Sequence, residues 1–198
     1  ETALHPLTVV IGGSKIETKL PVISRFFGVA DVILVGGALV NSIWKSQGKN
    51  VGRSLVNNDM LEQAAQLAQA AEVLLPVDLI VGTEDGTQTR VVTVKDFFKD
   101  EQGCAENEGI FYIGPQTIEM YRALIETSKT VLWNGGLGML EVDAYQHGTE
   151  QVAAIIADAT IQHDVYSIVG GGETVQTIKK INRMNDISVV STGGGAML

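Results

Sequence analysis

The chain has one cysteine, Cys104, among 198 residues, which rules out an intrachain disulfide framework and a cysteine-built metal site. Cations are scarce too: 14 Lys and Arg stand against 23 Asp and Glu, giving a formal net charge of −9. Nucleic acid and anionic membranes recruit clustered Lys and Arg, so neither is an expected partner. A phosphate ligand would have to be held by a few placed cations and not by a broad positive field. No apolar run approaches the ~18 residues of a membrane span, and the amino end lacks the charged and apolar segments of a signal peptide. A cytoplasmic home and a monomeric state are expected. His5, His147 and His163 fit no ligand spacing or triad, and Cys104, in the acidic stretch 100–108, reads as incidental.

Glycine, by contrast, is abundant and clustered. Twelve of the 22 glycines fall in five groups: Gly12-Gly13, Gly36-Gly37, Gly135-Gly136, Gly170-Gly171-Gly172 and Gly193-Gly194-Gly195. Each group ends a short apolar run: Val9–Ile11, Val32–Val35, Val131–Asn134, Ser167–Val169 and Val189–Thr192. Buried parallel strands read as continuous β-branched runs, so five strands are expected to end in glycine. Ligands of open α/β sheets sit outside those carboxyl ends, and glycine lets backbone N–H groups approach an anion. Further strands are expected at Leu79–Val81 and Ile110–Ile113, with a short edge strand near Arg90–Val94 in a polar surface excursion, Glu84–Glu108.

Helical stripes alternate with these runs, which is the signature of a parallel sheet covered on both faces. They are Leu61, Ala64, Ala65, Ala68 and Ala71 after an Asp59/Glu62 capping box; Ile118, Tyr121, Leu124 and Ile125; Val152, Ile155, Ile156 and Ala159; and Val175, Ile178 and Ile181.

Four constellations carry candidate chemistry. Ser14 and Glu17 have capping-box spacing, which starts a helix at Ser14 and sets Lys15 and Lys19 four apart on one face, beside free N–H groups suited to polyphosphate. The spacing is not that of a Walker A loop, and two solvated surface lysines are the competing reading. Gly170-Gly171-Gly172-Glu173-Thr174 combines an anion nest with a carboxylate that either holds Mg²⁺ beside phosphates or complements the helix dipole. Ser191–Ala196 repeats the strand-to-glycine turn. Trp133-Asn134-Gly135-Gly136-Leu137-Gly138-Met139-Leu140-Glu141 is a glycine loop suited to lie against a purine, with Glu141 accepting from ribose hydroxyls, or a buried Trp beside a flexible turn.

Taken in order, these segments resemble the carboxyl-terminal, nucleotide-binding domain of the phosphoglycerate kinase family. Leu34-Val35-Gly36-Gly37, Leu75-Pro76-Val77-Asp78, Ile113-Gly114-Pro115 and Gly148-Thr149-Glu150 extend the match to nearly the whole chain. The resemblance implies phosphoryl transfer between 1,3-bisphosphoglycerate and Mg-ADP, giving 3-phosphoglycerate and ATP, with Mg²⁺ as cofactor. It implies that Lys15 steadies the transferring group and Lys19 contacts nucleotide phosphates. By the same resemblance Gly13, Gly36 and Gly37 fall at the nucleoside pocket, Glu141 at the ribose, and Gly172 and Gly195 at the transfer site. Ser14, Asn134, Leu137, Gly170, Gly171, Glu173 and Thr174 complete the expected nucleotide site, with Glu173 as the Mg²⁺ residue.

The expected architecture is a three-layer α/β/α, Rossmann-like parallel sheet of about six strands, a single nucleotide-binding domain over residues 1–198. The family's amino-terminal domain, which holds 3-phosphoglycerate or 1,3-bisphosphoglycerate, has no counterpart here, so the chain reads as a piece of something longer. Four positions depart from the family pattern: Gly136 replaces proline, Ala38 a third glycine, Glu173 an aspartate and Met197 a small polar residue. Gly136 loosens the loop over the nucleotide, and the extra methylene of Glu173 displaces its carboxylate. These departures leave a second class open, a nucleotide-binding module without catalysis.

Overall fold

The computed structural model of the protein describes residues 3–191. Six strands form an entirely parallel sheet: β1 (Leu7–Ile11), β2 (Val32–Val35), β3 (Val73–Leu74), β7 (Thr130–Asn134), β8 (Tyr166–Gly170) and β9 (Val189–Ser191). Their spatial order is β3-β2-β1-β7-β8-β9. The chain thus runs outward from β1 on one side and from β7 on the other, so the switch point lies between those two strands.

Register brings the strand ends to one level. Val35 pairs with Ile11, Ile11 with Asn134, Asn134 with Gly170 and Gly170 with Ser191. Gly36, Gly12, Gly135 and Gly171 therefore leave the sheet side by side.

Alternation along each strand feeds two cores, one on each face. Val9, Ile11, Ile33, Val35 and Leu132 pack with residues of α1 (Ile16–Ser24), α2 (Ala38–Ser46) and α3 (Leu61–Leu67), among them Ile23, Ile43 and Leu67. Val10, Leu34, Val131, Trp133 and Val169 pack instead on α5 (Pro115–Glu126), α6 (Asp143–Gln162) and α7 (Gly172–Lys180), through Tyr121, Ile156 and Ile178. The three expected layers are present.

The other strands correct the expectation. β4 (Asp78–Gly82) and β6 (Gly109–Ile113) do not join the parallel sheet; with β5 (Thr89–Thr93) they form a separate antiparallel sheet, order β5-β4-β6. The sixth parallel strand is instead the two-residue β3. The segment expected as a surface excursion also enters the core: Phe97, in α4 (Val94–Phe97), and Phe98 are buried. Buried Asp78 anchors the small sheet to α5, accepting the Gln116 N–H at 2.9 Å, the Thr117 N–H at 2.7 Å and the Thr117 hydroxyl at 2.6 Å. A distant carboxylate thus serves the free donors of a helix whose first residue is proline.

Neither capping box forms. Helix α1 begins at Ile16, with Lys15 at the cap position and no side-chain cap, because Glu17 accepts instead from Asn57 Nδ2 at 3.0 Å. Before α3, Asn57 and not Asp59 supplies the cap, accepting the Asp59 N–H at the start of a 3-10 turn, and α3 ends at Leu67, short of Ala71.

Candidate nucleotide site

The glycine loops at the switch point bind one another. Gly12 N–H donates to the Asn134 carbonyl at 3.1 Å, Gly13 N–H to that of Gly136 at 2.6 Å, Gly36 N–H to that of Ile11 at 3.0 Å and Gly37 N–H to that of Leu137 at 3.2 Å. An added Cβ at Gly12 would strike the Gly136 carbonyl, and one at Gly36 would lie 2.7 Å from Leu137 Cδ2. Gly135, at φ +91°, faces the Gly12 carbonyl in the same way. Several of these glycines are therefore required by backbone crossing backbone, and the ligand is not their only cause. Gly172 differs: nothing lies within 4 Å of a Cβ built there, so the start of α7 is open.

Helix α7 holds the 135–137 loop from one side and α6 from the other. The Gly135 N–H donates to Thr174 Oγ1 at 2.8 Å, the Gly136 N–H to Glu173 Oε2 at 3.2 Å and the Leu137 N–H to Thr149 Oγ1 at 3.2 Å. Trp133 Nε1 donates to the Gly135 carbonyl at 3.0 Å, so a buried indole supports the same turn. Thr174 is buried, and Thr174→Ala would orphan the Gly135 N–H. The expected loss is about 1–2 kcal/mol, read from the urea midpoint, whereas Thr174→Ser should lose less because the acceptor remains. A Thr174→Ala variant as stable as the parent would show the bond to be dispensable.

The two lysines do not share a helical face. Lys15 stands before the helix and is exposed, while Lys19 is half-buried and its Nζ donates to Asn134 Oδ1. Burial lowers the Lys19 pKa below the usual lysine range, and the nearby Glu173 partly offsets this. Asn134 Nδ2 is buried and has no hydrogen-bond partner among the described residues. An ammonium and an unpaired amide donor thus meet at the switch point.

A cleft of about 620 Å³ opens from this place. Of the residues expected at a nucleotide site, Gly13, Ser14, Gly37, Glu141 and Glu173 line it. Gly36 and Leu137 are buried against each other and lie off the lining. Asn134, Gly170 and Thr174 are buried, Gly171 is half-buried, and Lys15, Lys19 and Gly172 lie off the lining. Gly195 falls outside the described residues.

Sequence reasoning missed the opposite wall, formed by Val40, Asn41 and Trp44 of α2, Arg53 and Leu55 of the following loop, and Phe111 of β6. Long-range bonds assemble it: Arg53 N–H to the Glu108 carbonyl at 2.8 Å, Ile110 N–H to Ser54 Oγ at 2.7 Å and Met139 N–H to the Phe111 carbonyl at 3.0 Å. The available signal was α2 itself, which follows Gly36-Gly37 directly and carries Asn41 and Trp44 onto the cleft. Cys104 is buried, and burial pushes its thiol up to about 12, which leaves it protonated and unreactive near neutrality.

Comparison with known proteins decides the family, because the profile described as phosphoglycerate kinase matches residues 1–198. The chain belongs to the phosphoglycerate kinase family. It is 39% identical over 198 residues to a phosphoglycerate kinase of Rubrobacter xylanophilus, and 38% identical over 200 residues to one of Thermosipho africanus. Each match covers 98% of this chain and 48% of the relative, so the chain spans about half the length of the curated relatives it matches. A solved phosphoglycerate kinase from Coxiella burnetii is similar at TM-score 0.84 and 35% identity, over 99% of this chain and 50% of that one. The phosphoglycerate kinase of Pyrococcus horikoshii OT3 is similar at TM-score 0.79 and 27% identity, over 98% and 48%. No helix among the described residues is long and apolar enough to cross a membrane.

Proposed function

We propose that this chain is the nucleotide-binding half of a cytoplasmic phosphoglycerate kinase, binding Mg-ADP and Mg-ATP for phosphoryl exchange between 1,3-bisphosphoglycerate and 3-phosphoglycerate. The observation that carries the reading is the join of the switch-point donors to one long cleft. Gly13 and Glu173 line one end of it, with Lys19 just behind Gly13, and Val40, Trp44 and Phe111 supply an apolar wall. Such a cleft suits a ligand with a flat apolar base and an anionic tail.

In this reading the base lies against the apolar wall, Glu141 accepts from the ribose hydroxyls, and the phosphates take the Ser14 amide and the Lys19 ammonium. Lys15, exposed before α1, steadies the transferring group, and Gly172, at the open start of α7, presents its amide to the transfer site. Positioning and charge stabilisation are most of what phosphoryl transfer requires. Phosphoglycerate is held by the half of the relatives that this chain does not span.

The residues present fit a nucleotide-borne Mg²⁺. Among the described residues no three Asp, Glu, His or Cys converge on one point, but Mg²⁺ carried by phosphates asks only one or two carboxylates. Glu173, beside Gly13 and electrostatically coupled to Lys19, supplies one. When bound, the ion neutralises charge on the phosphates.

Calorimetry with ADP tests the reading. Binding is expected, tighter with Mg²⁺ than with EDTA, while a coupled assay on this chain alone should show only trace turnover. No ADP binding in either condition would overturn it. Near-full turnover would overturn the assignment of phosphoglycerate to the other half.

A further inference from the structure

The glycine loop and the start of α7 are joined by a hydrogen bond between Gly136 and Glu173. Gly136 donates its N–H to Glu173 Oε2 at 3.2 Å, a bond that proline at 136 could not make. Glu173 is exposed on the first turn of α7, where its side chain has solvent available, yet its carboxylate turns inward over the loop. A Cβ built at Gly13 would lie 3.6 Å from Glu173 Oε2 and 3.3 Å from Lys19 Cε, so the carboxylate and the lysine border the same space. Behind that space Asn134 holds Lys19 by Oδ1 and keeps its buried Nδ2 without a partner among the described residues.

Donors therefore surround a place suited to an anion, and the protein's own carboxylate already engages one of them. We propose that Glu173 is a latch that makes this site discriminate metal-bound from metal-free nucleotide, closing the phosphate end through Gly136 until a divalent cation neutralises it. A bare phosphate tail meets a like charge held over its seat by the Gly136 amide. It must break that bond and swing the carboxylate away before it can bind. A nucleotide that carries Mg²⁺ brings the countercharge with it, and the same carboxylate then favours binding. The reach depends on glutamate: an aspartate at 173, one methylene shorter, keeps the charge but falls short of the Gly136 N–H.

The inference rests on the nucleotide reading above, and one set of titrations separates the two. ADP is titrated calorimetrically into the wild-type chain, Glu173→Ala and Glu173→Asp, in EDTA and again in saturating Mg²⁺. Glu173 is exposed, so both variants should fold. In EDTA, Glu173→Ala is expected to bind ADP roughly three- to tenfold tighter than wild type, and Glu173→Asp roughly two- to threefold tighter. In Mg²⁺ the order should reverse for Glu173→Ala. If only Glu173→Ala tightens in EDTA, bare charge repulsion explains the site and the latch is overturned. If neither tightens, it is overturned as well, and Glu173 is left with a metal-facing role alone. If wild type binds no ADP with or without Mg²⁺, the nucleotide reading and the latch fall together.

Discussion

Gly148→Ala is expected to destabilise the protein by about 3 kcal/mol and to lower Tm by about 6–12 °C, although helix propensity alone says the opposite. Gly148 lies inside α6, where exchanging glycine for alanine ordinarily gains roughly 0.5–1 kcal/mol. Here, however, an added Cβ would fall on the hydroxyl and ring of Tyr112. Tyr112 is buried and belongs to β6, so its ring has to leave a close-packed place, and no small shift relieves the collision. The cleft should suffer with it. Tyr112 bridges Gly138, and the Met139 N–H donates to the neighbouring Phe111 carbonyl, so moving the ring moves the wall that carries Phe111. A double-mutant cycle locates the cause. Tyr112→Leu shortens the side chain, and in that background Gly148→Ala should cost little or stabilise. Tyr112→Phe should not rescue, because the ring itself stands in the way. A Gly148→Ala variant with unchanged or higher Tm would mean that helix propensity wins and that the packing argument is wrong.

The row of strand ends was legible because its cause is local. A β-branched run buried on both faces and stopped by glycine has few other readings, and register then places Val35, Ile11, Asn134 and Gly170 at one level. The direction of β4 and β6 was not legible, since Leu79-Ile80-Val81 and Ile110–Ile113 look alike in either kind of sheet. What turns the chain back after β4 is Asp85-Gly86: Asp85 Oδ1 accepts from Thr83 Oγ1 and from the Thr87 N–H, and Gly86 sits at φ +73°. Asp-Gly between two apolar runs is a hairpin signal, and it was there to be read. β3 escaped because two residues carry no periodicity. The capping boxes misled because the spacing of Ser14 and Glu17 says nothing of Asn57, 40 positions on, which takes the Glu17 carboxylate. Likewise the glycines stand at the strand ends as expected, but much of their necessity comes from backbones crossing each other at Gly12 and Gly135.

Lys19→Met is expected to weaken Mg-ADP binding by about 30- to 300-fold while changing fold stability near neutral pH by no more than about 1 kcal/mol. The small stability change follows from two opposed effects. Lys19 donates to Asn134 Oδ1, and methionine leaves that oxygen unpaired. Against this, burial penalises the Lys19 ammonium, as its lowered pKa records, with Glu173 only partly offsetting it, and methionine is spared that cost. A lysine whose folded pKa lies below its unfolded value costs stability fully at pH below the folded pKa. The cost disappears as pH rises from the folded value through the unfolded one, near 10.5. Wild type should therefore gain stability relative to Lys19→Met as pH is raised from neutrality toward 10.5, a difference read from paired urea titrations. A phosphate beside Lys19 should raise its pKa again, so ADP binding at alkaline pH should take up protons, and heats measured in buffers of different ionisation enthalpy would reveal them. Lys19→Met should abolish that uptake. A pH-independent stability difference would mean that Lys19 is solvated as an ordinary surface lysine, whereas an unchanged ADP affinity would remove it from the site altogether. A lysine held half-desolvated at a switch point costs the fold stability, and these two measurements separate that cost from any gain in binding.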